Sequence, residues 1–425
     1  MLPTSVDIRH LRHPYYKSRI SDWTRWRDCY YGGRDFINRY LEAYSARETK
    51  PAFEKRKKLT YCPRFAGAAV DDVKNSIYQR MVDIVRTGGP KSYQDAVQGI
   101  DGGVDLEGSS MNRFIGQMVL PELLVMRKVG VYVDMPQLDG PTMANNIGKK
   151  PYLYYYTAEQ ILSWNEDNTA LLIKDNTNIK DEATGLIKGN GSQFRYYSMK
   201  PDGVEVVILN GFTGPKEPED SSILSRYLLP GMSQIPFVTF EITKSLMEDI
   251  ADYQIALLNV MSSDLSYILL SNFPFYTEQY DPRAESAFRA TSPTTPTEEG
   301  HEITIGATTG RRYPIGAEAP SFVHPSPEPL EISMKKEEQI KAEIRHLLNL
   351  TLSQTEPKFA SAESKGMDQR SLEAGLSAIG LVLEHGERQI AQIWSSYDKN
   401  GQVPTVNYPK IYSLKSDEDR RKEAK

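Results

Sequence analysis

Apolar residues recur at three- and four-residue intervals through the first quarter of the chain, the spacing of one face of an α-helix. Trp23, Trp26 and Tyr30, then Phe36, Ile37, Tyr40 and Leu41, follow it on either side of Gly32-Gly33. Val70, Val73, Ile77, Met81 and Ile84 form a second stripe within a helix expected over Arg64 to Arg86. Phe114, Met118, Val119 and Leu123 form a third, within Arg113 to Arg127. All three predict core-facing helices. From Val129 the pattern shortens to strands: Val131 to Val133, then the aromatic run Tyr152 to Tyr156. Phe194 to Leu209 predicts a hairpin, because Pro201-Asp202-Gly203 has the backbone chemistry to reverse a strand. A Pro-, Glu- and Asp-rich loop follows at Gly214 to Ser222, then a short strand at Ile235 to Phe240.

The next stretch predicts long helices. Leu246, Ile250, Leu257, Met261, Leu265 and Ile268 fall on one stripe of a helix from Leu246 to about Asn272, roughly 40 Å long at 1.5 Å per residue. Its other faces carry small polar residues, so it suits packing on two sides. Pro274 ends it. Phe275 to Pro329 is rich in Pro, Gly and Thr (Thr291 to Gly300, Gly306 to Arg312), and is too long for an ordinary loop. A small subdomain is expected there, with strand pieces at Ile303 to Ile305 and Phe322-Val323. A second long helix is expected over Leu330 to Leu352, with Ile340, Ile344, Leu347 and Leu348 inward and Lys335, Lys336, Lys341 and Arg345 on other faces. Ser353 to Gly366 is small, polar and flexible in composition and contains Lys358 and Lys365. A third helix, Ser371 to about Tyr397, carries Leu372, Leu376, Ile379, Leu383, Ile390 and Trp394. The expected class is α+β: a mixed body, a helix out, a small β tip, a helix back, a loop, and a helix into the body.

Composition changes this picture in two places. There are 25 tyrosines against 13 phenylalanines, and tyrosine suits wet subunit interfaces because it buries a ring and keeps a polar end. The net charge of −5 lacks the basic surplus of a protein that grips DNA through its phosphates. Any nucleic-acid contact must be local or weak. Two cysteines, Cys29 and Cys62, exclude a disulfide framework and fit a reducing compartment. No secretory signal and no apolar run long enough to span a membrane is present, so no membrane partner is expected.

Catalytic patterns are not found, and the expectation is a non-enzyme without cofactor or metal. No phosphate-cradling Gly-x-x-x-x-Gly-Lys-Ser/Thr loop occurs, and Gly189-Asn190-Gly191-Ser192 matches no dinucleotide fingerprint. His10 and His13 have His-x-x-His spacing, which could put two ligands on one helical face, but no Cys, and no Glu at a known offset, completes a metal site; His301, His324, His346 and His385 are scattered. Ser333-Met334-Lys335-Lys336 satisfies Ser-x-x-Lys without the partner motifs of the acyl-transfer enzymes that use it. Glu248, Asp249 and Asp252 lack the sugar cleft that a glycosidase pair requires.

The order of several short motifs carries a likeness. Ile235-Pro236-Phe237-Val238-Thr239-Phe240 precedes Ser245-Leu246-Met247-Glu248-Asp249-Ile250-Ala251-Asp252, then Ile255-Ala256-Leu257-Leu258-Asn259 and Ser262-Ser263-Asp264. This resembles bacteriophage portal proteins, in which such a strand runs into a long helix. Ala158-Glu159-Gln160-Ile161-Leu162-Ser163-Trp164 looks like the segment those proteins carry at the same place. Trp26-Arg27-Asp28, Gly32-Gly33, Tyr40-Leu41, Tyr61 and Arg64 are also similar, and the likeness runs from about Trp23 to Trp394.

The resemblance implies a ring of about twelve copies at one capsid vertex, through which double-stranded DNA is packaged and ejected. It implies a wing over 1–241, a first stem helix over 242–272 and a clip over 273–328. A second stem helix over 329–352, a tunnel loop over 353–370 and a long wing helix over 371–398 would follow. The stretch 399–425 would begin a C-terminal wing and crown that continues beyond Lys425. Terminase, head-completion proteins and the major capsid and scaffold proteins would be the partners. The expected location is the portal vertex of a virion assembled in the host cytoplasm. Lys358 and Lys365 in the tunnel loop, and Lys335, Lys336, Lys341 and Arg345 on the second stem helix, are the candidate DNA contacts. An acidic ring with a few inward cations would centre a duplex and let it slide. A phage structural adaptor without a channel, or a hydrolase, are the alternatives.

Overall fold

Helix α1 (Pro14–Tyr31) begins where His13 accepts a hydrogen bond from the Tyr15 amide and Pro14 presets the first turn, and it stops at Gly32. In the computed structural model the described residues are 7–136, 149–180, 184–211, 223–272, 275–277, 318, 321–323, 326–353, 364–397, 401–410 and 412. α2 (Gly33–Tyr40), α3 (Lys50–Leu59) and α4 (Phe65–Arg80) come next, then β1 (Val85–Thr87) and α5 (Lys91–Val97). A buried π-helical turn, Phe114–Val119, leads into α6 (Leu120–Met126). Strands β2 (Lys128–Asp134), β3 (Tyr152–Thr157), β4 (Ile161–Trp164), β5 (Ala170–Lys180), β6 (Ile187–Lys200), β7 (Gly203–Asn210), β8 (Ile223–Pro230) and β9 (Phe237–Glu241) follow. The long helices are α7 (Ala251–Ser271), α8 (Glu328–Ser353) and α9 (Ser364–Tyr397); β10 (Phe275–Thr277) and β11 (Ser321–Val323) lie between α7 and α8, and β12 (Thr405–Asn407) comes last. The class is α+β.

The chain divides into two units. The first comprises Met1–Leu41, Tyr61–Leu258 and Ile340–Lys425; the second comprises Glu42–Thr60 and Asn259–Gln339. Along the chain, α7 begins in the first and ends in the second, and α8 runs the other way.

The first unit holds two antiparallel sheets, β3-β2-β9 and β4-β5-β6-β7-β8, and the small pair β1-β12. In the larger sheet the Pro201-Asp202 turn pairs Lys200 with Gly203, as the sequence predicts. Gly203 has φ 144°, and a Cβ there would meet the Leu229 carbonyl oxygen at 2.1 Å, so glycine is required. β2 is buried on both faces up to Val133 because α9 packs beside β9 and α6 feeds directly into it. Trp23, Trp26 and Trp394 are all nearly inaccessible and mark the core.

Three expected helices have other bounds. The one expected over Arg64 to Arg86 ends at Arg80, and Val85–Thr87 forms β1 instead, paired with β12. The stretch Leu246 to Ile250 is a series of turns, and α7 starts at Ala251. Leu246 and Ile250 are buried as their periodicity implies. There Ser245 Oγ donates to the Val125 carbonyl (2.5 Å) and the Leu246 amide donates to the Leu124 carbonyl (3.0 Å), which ties the stretch to α6. α9 starts at Ser364, seven residues before Ser371, so the last part of the expected 353–370 loop is helical. Residues 354–363, most of the 273–328 segment and 413–425 lie outside the described residues. Of the strand pieces expected there, Phe322-Val323 pairs as part of β11 with β10, and Ile303 to Ile305 lies outside the described residues.

Within the first unit the end of α8 meets α9 at Gly375, where a Cβ would stand 2.1 Å from the Leu352 carbonyl oxygen. At an exposed helical site Gly→Ala stabilises by up to ~1 kcal/mol. Gly375→Ala is expected to do the opposite and cost ~1–3 kcal/mol through overpacking, read as a lower urea midpoint.

Candidate functional site

The long helices carry the side chains that the sequence nominates, so their anchoring comes first. The inner seam of α7 contains Gln254, Leu257, Leu258 and Ser262, all buried. Gln254 is a cap supplied from a distance: its Oε1 accepts from the Ala66 amide (2.8 Å) and its Nε2 donates to the Pro63 carbonyl (2.9 Å). This satisfies the first turn of α4, whose own N-cap, Arg64, offers no side-chain bond. In the first unit Asp249 accepts from Lys244 (2.5 Å) and from Thr351 on α8 (3.2 Å). In the second unit Ser333 on α8 donates to Asp264 on α7 (2.6 Å), and the Tyr267 hydroxyl donates to the Ser326 carbonyl.

α8 buries Ile340, Ile344, Leu348 and Leu352. At 100° per residue these centre one face, and the nominated cations spread around it. Lys335 lies opposite the seam and is exposed. Lys336 is exposed on one flank and donates to Gln339 (3.2 Å). Arg345 is exposed on the other flank with its guanidinium 5.1 Å from the Phe65 ring centroid, and Lys341 is half-buried nearer the seam. The four do not form one stripe. Carboxylates Glu328, Glu331, Glu337, Glu338 and Glu343 lie among them, so the helix surface is close to neutral. Lys365 belongs to the first turn of α9 by its backbone, and Lys358 lies outside the described residues. The sequence nominates both from a loop, and for Lys365 the backbone is instead helical.

Three features escape the sequence reading. α3 packs Lys50, Lys55, Arg56, Lys57 and Lys58 into ten residues with Glu54 as its single acid, a density visible in the sequence and overlooked. Arg56 is buried in the second unit, where it donates to Glu48 (2.8 and 2.7 Å), to Ser262 (2.8 Å) and to the Glu42 carbonyl (2.8 Å). That side chain therefore holds the unit together, whereas Lys50, Lys55 and Lys58 are exposed. The second feature is apolar exposure on the long helices: Ile268 and Leu269 on α7, and Ile332, Met334 and Leu350 on α8. The third is β8, the last strand of its sheet, which leaves Ile223, Leu224, Tyr227 and Leu228 exposed. A sheet-edge strand among the described residues and apolar side chains exposed on it are features that another chain can cover.

His10 and His13 do not act together: His13 caps α1 and stacks on Trp164 (centroids 4.0 Å apart), while His10 sits 3.9 Å from Asp7. Among the described residues no group of three or more His, Cys, Asp or Glu would hold a metal ion, and no helix is long and apolar enough to cross a membrane. Burial pushes the Cys29 thiol up to about 12, so it stays protonated.

No protein-family model matches the chain, and no curated protein matches it. Solved structures similar to it include a chain of the virion of a native gene transfer agent particle, at 11% identity over 85% of this chain and 83% of that one, with a TM-score of 0.40. A chain of the neck of an empty gene transfer agent particle, computed with C6 symmetry, is 11% identical over 81% of each chain with a TM-score of 0.38. One from the neck of a native particle, computed with C12 symmetry, is 12% identical over 86% of this chain and 85% of that one, also at 0.38.

Proposed function

We propose that this chain is a phage-type portal subunit: a non-enzymatic protein that closes into a ring of about twelve copies around a channel for double-stranded DNA. The observation that carries the reading is the path of the chain. α7 (21 residues, about 31 Å) leaves the mixed α/β unit, the segment containing β10 and β11 follows, and α8 (26 residues, about 39 Å) returns. α9 then runs for 34 residues back in the first unit. The Ile235-Pro236-Phe237 motif leads into β9, the strand preceding α7, in the order of the family that the sequence resembles.

Surface chemistry supports the same role. A ring needs faces that other copies cover, and the exposed apolar residues of α7, α8 and β8 supply candidates. A channel must not hold its cargo, since every neutralised phosphate adds salt-dependent affinity. The near-neutral surface of α8 and the net charge of −5 suit a duplex that is guided and released. Terminase and head-completion proteins would dock on the segment between α7 and α8, and capsid and scaffold proteins on the wing. No cofactor is required.

Negative-stain electron microscopy of the purified chain, classified for rotational symmetry, is the test. Rings with a central hole are expected; closed particles with no hole sink the channel and leave a structural adaptor. With rings in hand, Lys335→Gln, Lys336→Gln, Lys341→Gln and Arg345→Gln combined is expected to keep the symmetry and flatten the salt dependence of duplex retention, by up to ~0.9 in log–log slope per lost phosphate contact. An unchanged slope removes α8 from the channel wall. Lys358→Ala with Lys365→Ala, measured the same way, decides whether the 354–366 stretch meets DNA.

A further inference from the structure

Lys128 opens β2 and is 95% removed from solvent, being 5% exposed. Among the described residues its ammonium makes no hydrogen bond and no ion pair. It lies 3.5 Å from the ring centroid of Trp164, which also stacks on His13 and meets the Tyr15 ring edge-on. The residue directly across the β2–β9 ladder is Glu241, yet its carboxylate turns to Arg127 (3.5 Å). Tyr15, with its ring centroid 5.9 Å from the same ammonium, keeps a buried hydroxyl that also has no partner. A buried cation is normally paired, because an unpaired one loses its hydration without return.

Lys128 and Trp164 line a cavity of about 360 Å³ within the first unit. Ile161, Leu171, Ile235 and Ile393 line it beside the polar Asn168, Gln234, Thr239, Glu241 and Gln389, so the lining is mixed. Its volume is that of a small-ligand site.

We propose that this cavity is a carboxylate site: the anion pairs with the Lys128 ammonium while a short aliphatic stem packs on Trp164 and the surrounding isoleucines. A duplex phosphate is the wrong ligand, since the backbone of a stiff helix does not reach a side chain so deeply buried. Glu241 at the cavity also disfavours multiply charged anions. Two sources carry the required chemistry, a free short-chain carboxylic acid and an Asp or Glu side chain of another copy. Burial pulls the Lys128 ammonium down to about 8, with Glu241 raising it and Arg127 lowering it further. Its empty state is therefore chemically visible: the amine loses its proton near pH 8 and becomes nucleophilic.

The test is acylation of Lys128 in the full chain, followed residue by residue with mass spectrometry across pH, in butyrate or in chloride of equal ionic strength. Butyrate is expected to slow labelling near neutral pH about tenfold for each unit by which it restores the ammonium's affinity for protons. It is also expected to raise the thermal midpoint of the native protein and not that of Lys128→Met. Protection by butyrate in the unassembled chain assigns a free acid. Protection that appears on assembly without butyrate assigns a neighbouring copy. Labelling that ignores both butyrate and assembly, or that chloride slows equally, overturns the site.

Discussion

Glu387→Ala is expected to lower the stability of the first unit by ~3–5 kcal/mol, the cost of removing one partner from a buried ion pair. Glu387 sits on α9 with no solvent exposure and accepts four hydrogen bonds. Two come from Arg86 (2.5 and 2.9 Å), one from Tyr408 (2.7 Å) and a weaker one from Tyr93 (3.4 Å). Arg86 also donates to Asn112 (2.8 Å), which in turn donates to the Met81 carbonyl (3.0 Å). One carboxylate thus ties β1, α5 and α9 to the segment after β12. Burial opposes charge on Arg86, and Glu387 more than offsets it, holding the guanidinium above its ordinary value. Burial first and Glu387 second push Tyr93 and Tyr408 well up, so both stay as donors. Without Glu387 the Arg86 charge and two buried hydroxyls lose their acceptor together. Trp394 lies 5.8 Å from the Tyr93 ring in an edge-on contact, so its fluorescence in urea is a direct readout. Glu387→Gln, which keeps the shape and one acceptor, is expected to lose less. A variant with an unchanged midpoint would mean that Arg86 finds another counterion.

Arg27→Met is expected to cost ~2–4 kcal/mol at neutral pH, below the full value for a buried pair because the site is partly open to water. Arg27, on α1, donates to both oxygens of Glu122 on α6 (3.0 and 2.7 Å) and both of Glu159 (2.6 and 2.9 Å). The two carboxylates lose their shared cation in the variant. Burial opposes the Glu159 charge, but Arg27 outweighs it, and the carboxyl is held below its ordinary 4.5. Asp71 is similarly held below 3.8: burial raises it, and Lys74, Tyr30 and Arg64 together prevail. An acid with a depressed folded-state pKa stabilises fully above its unfolded value, and the contribution disappears as pH falls through the folded value. The native protein is therefore expected to weaken below about pH 4.5. The deficit of Arg27→Met should shrink over the same range, since a protonated Glu159 no longer needs a cation. All four tryptophans (Trp23, Trp26, Trp164 and Trp394) lie in the first unit, so fluorescence unfolding curves at neutral and acid pH report this comparison. A deficit that stays constant with pH would rule out the electrostatic account.

Much of this architecture was legible in the sequence because burial imposes a period. The Val70 to Met81 stripe, the Ile340 to Leu348 seam and the aromatic strand at Tyr152 each place side chains by local geometry alone, 100° per residue in a helix and alternation in a strand. The Pro201-Asp202 hairpin is equally local, since the turn residues select the backbone. The α+β class and the long helices follow from the same signals.

Other features belong to the tertiary structure because they depend on groups distant in the chain. Periodicity places Leu246 and Ile250 in a helix, but in the fold the stretch is a series of turns tied to α6 by the Ser245 hydroxyl and the Leu246 amide. Strands β1 and β12 are three residues each and pair across more than three hundred positions, which leaves no local pattern to read. The ionic centres at Glu387 and Arg27 pool residues from distant elements, so composition counts the charges without locating them. Lys128 is the sharpest case. Nothing in its sequence neighbours singles it out; the β2–β9 pairing sets it opposite Glu241, and only the packed fold turns Glu241 toward Arg127 and leaves the ammonium against Trp164 at the edge of a cavity.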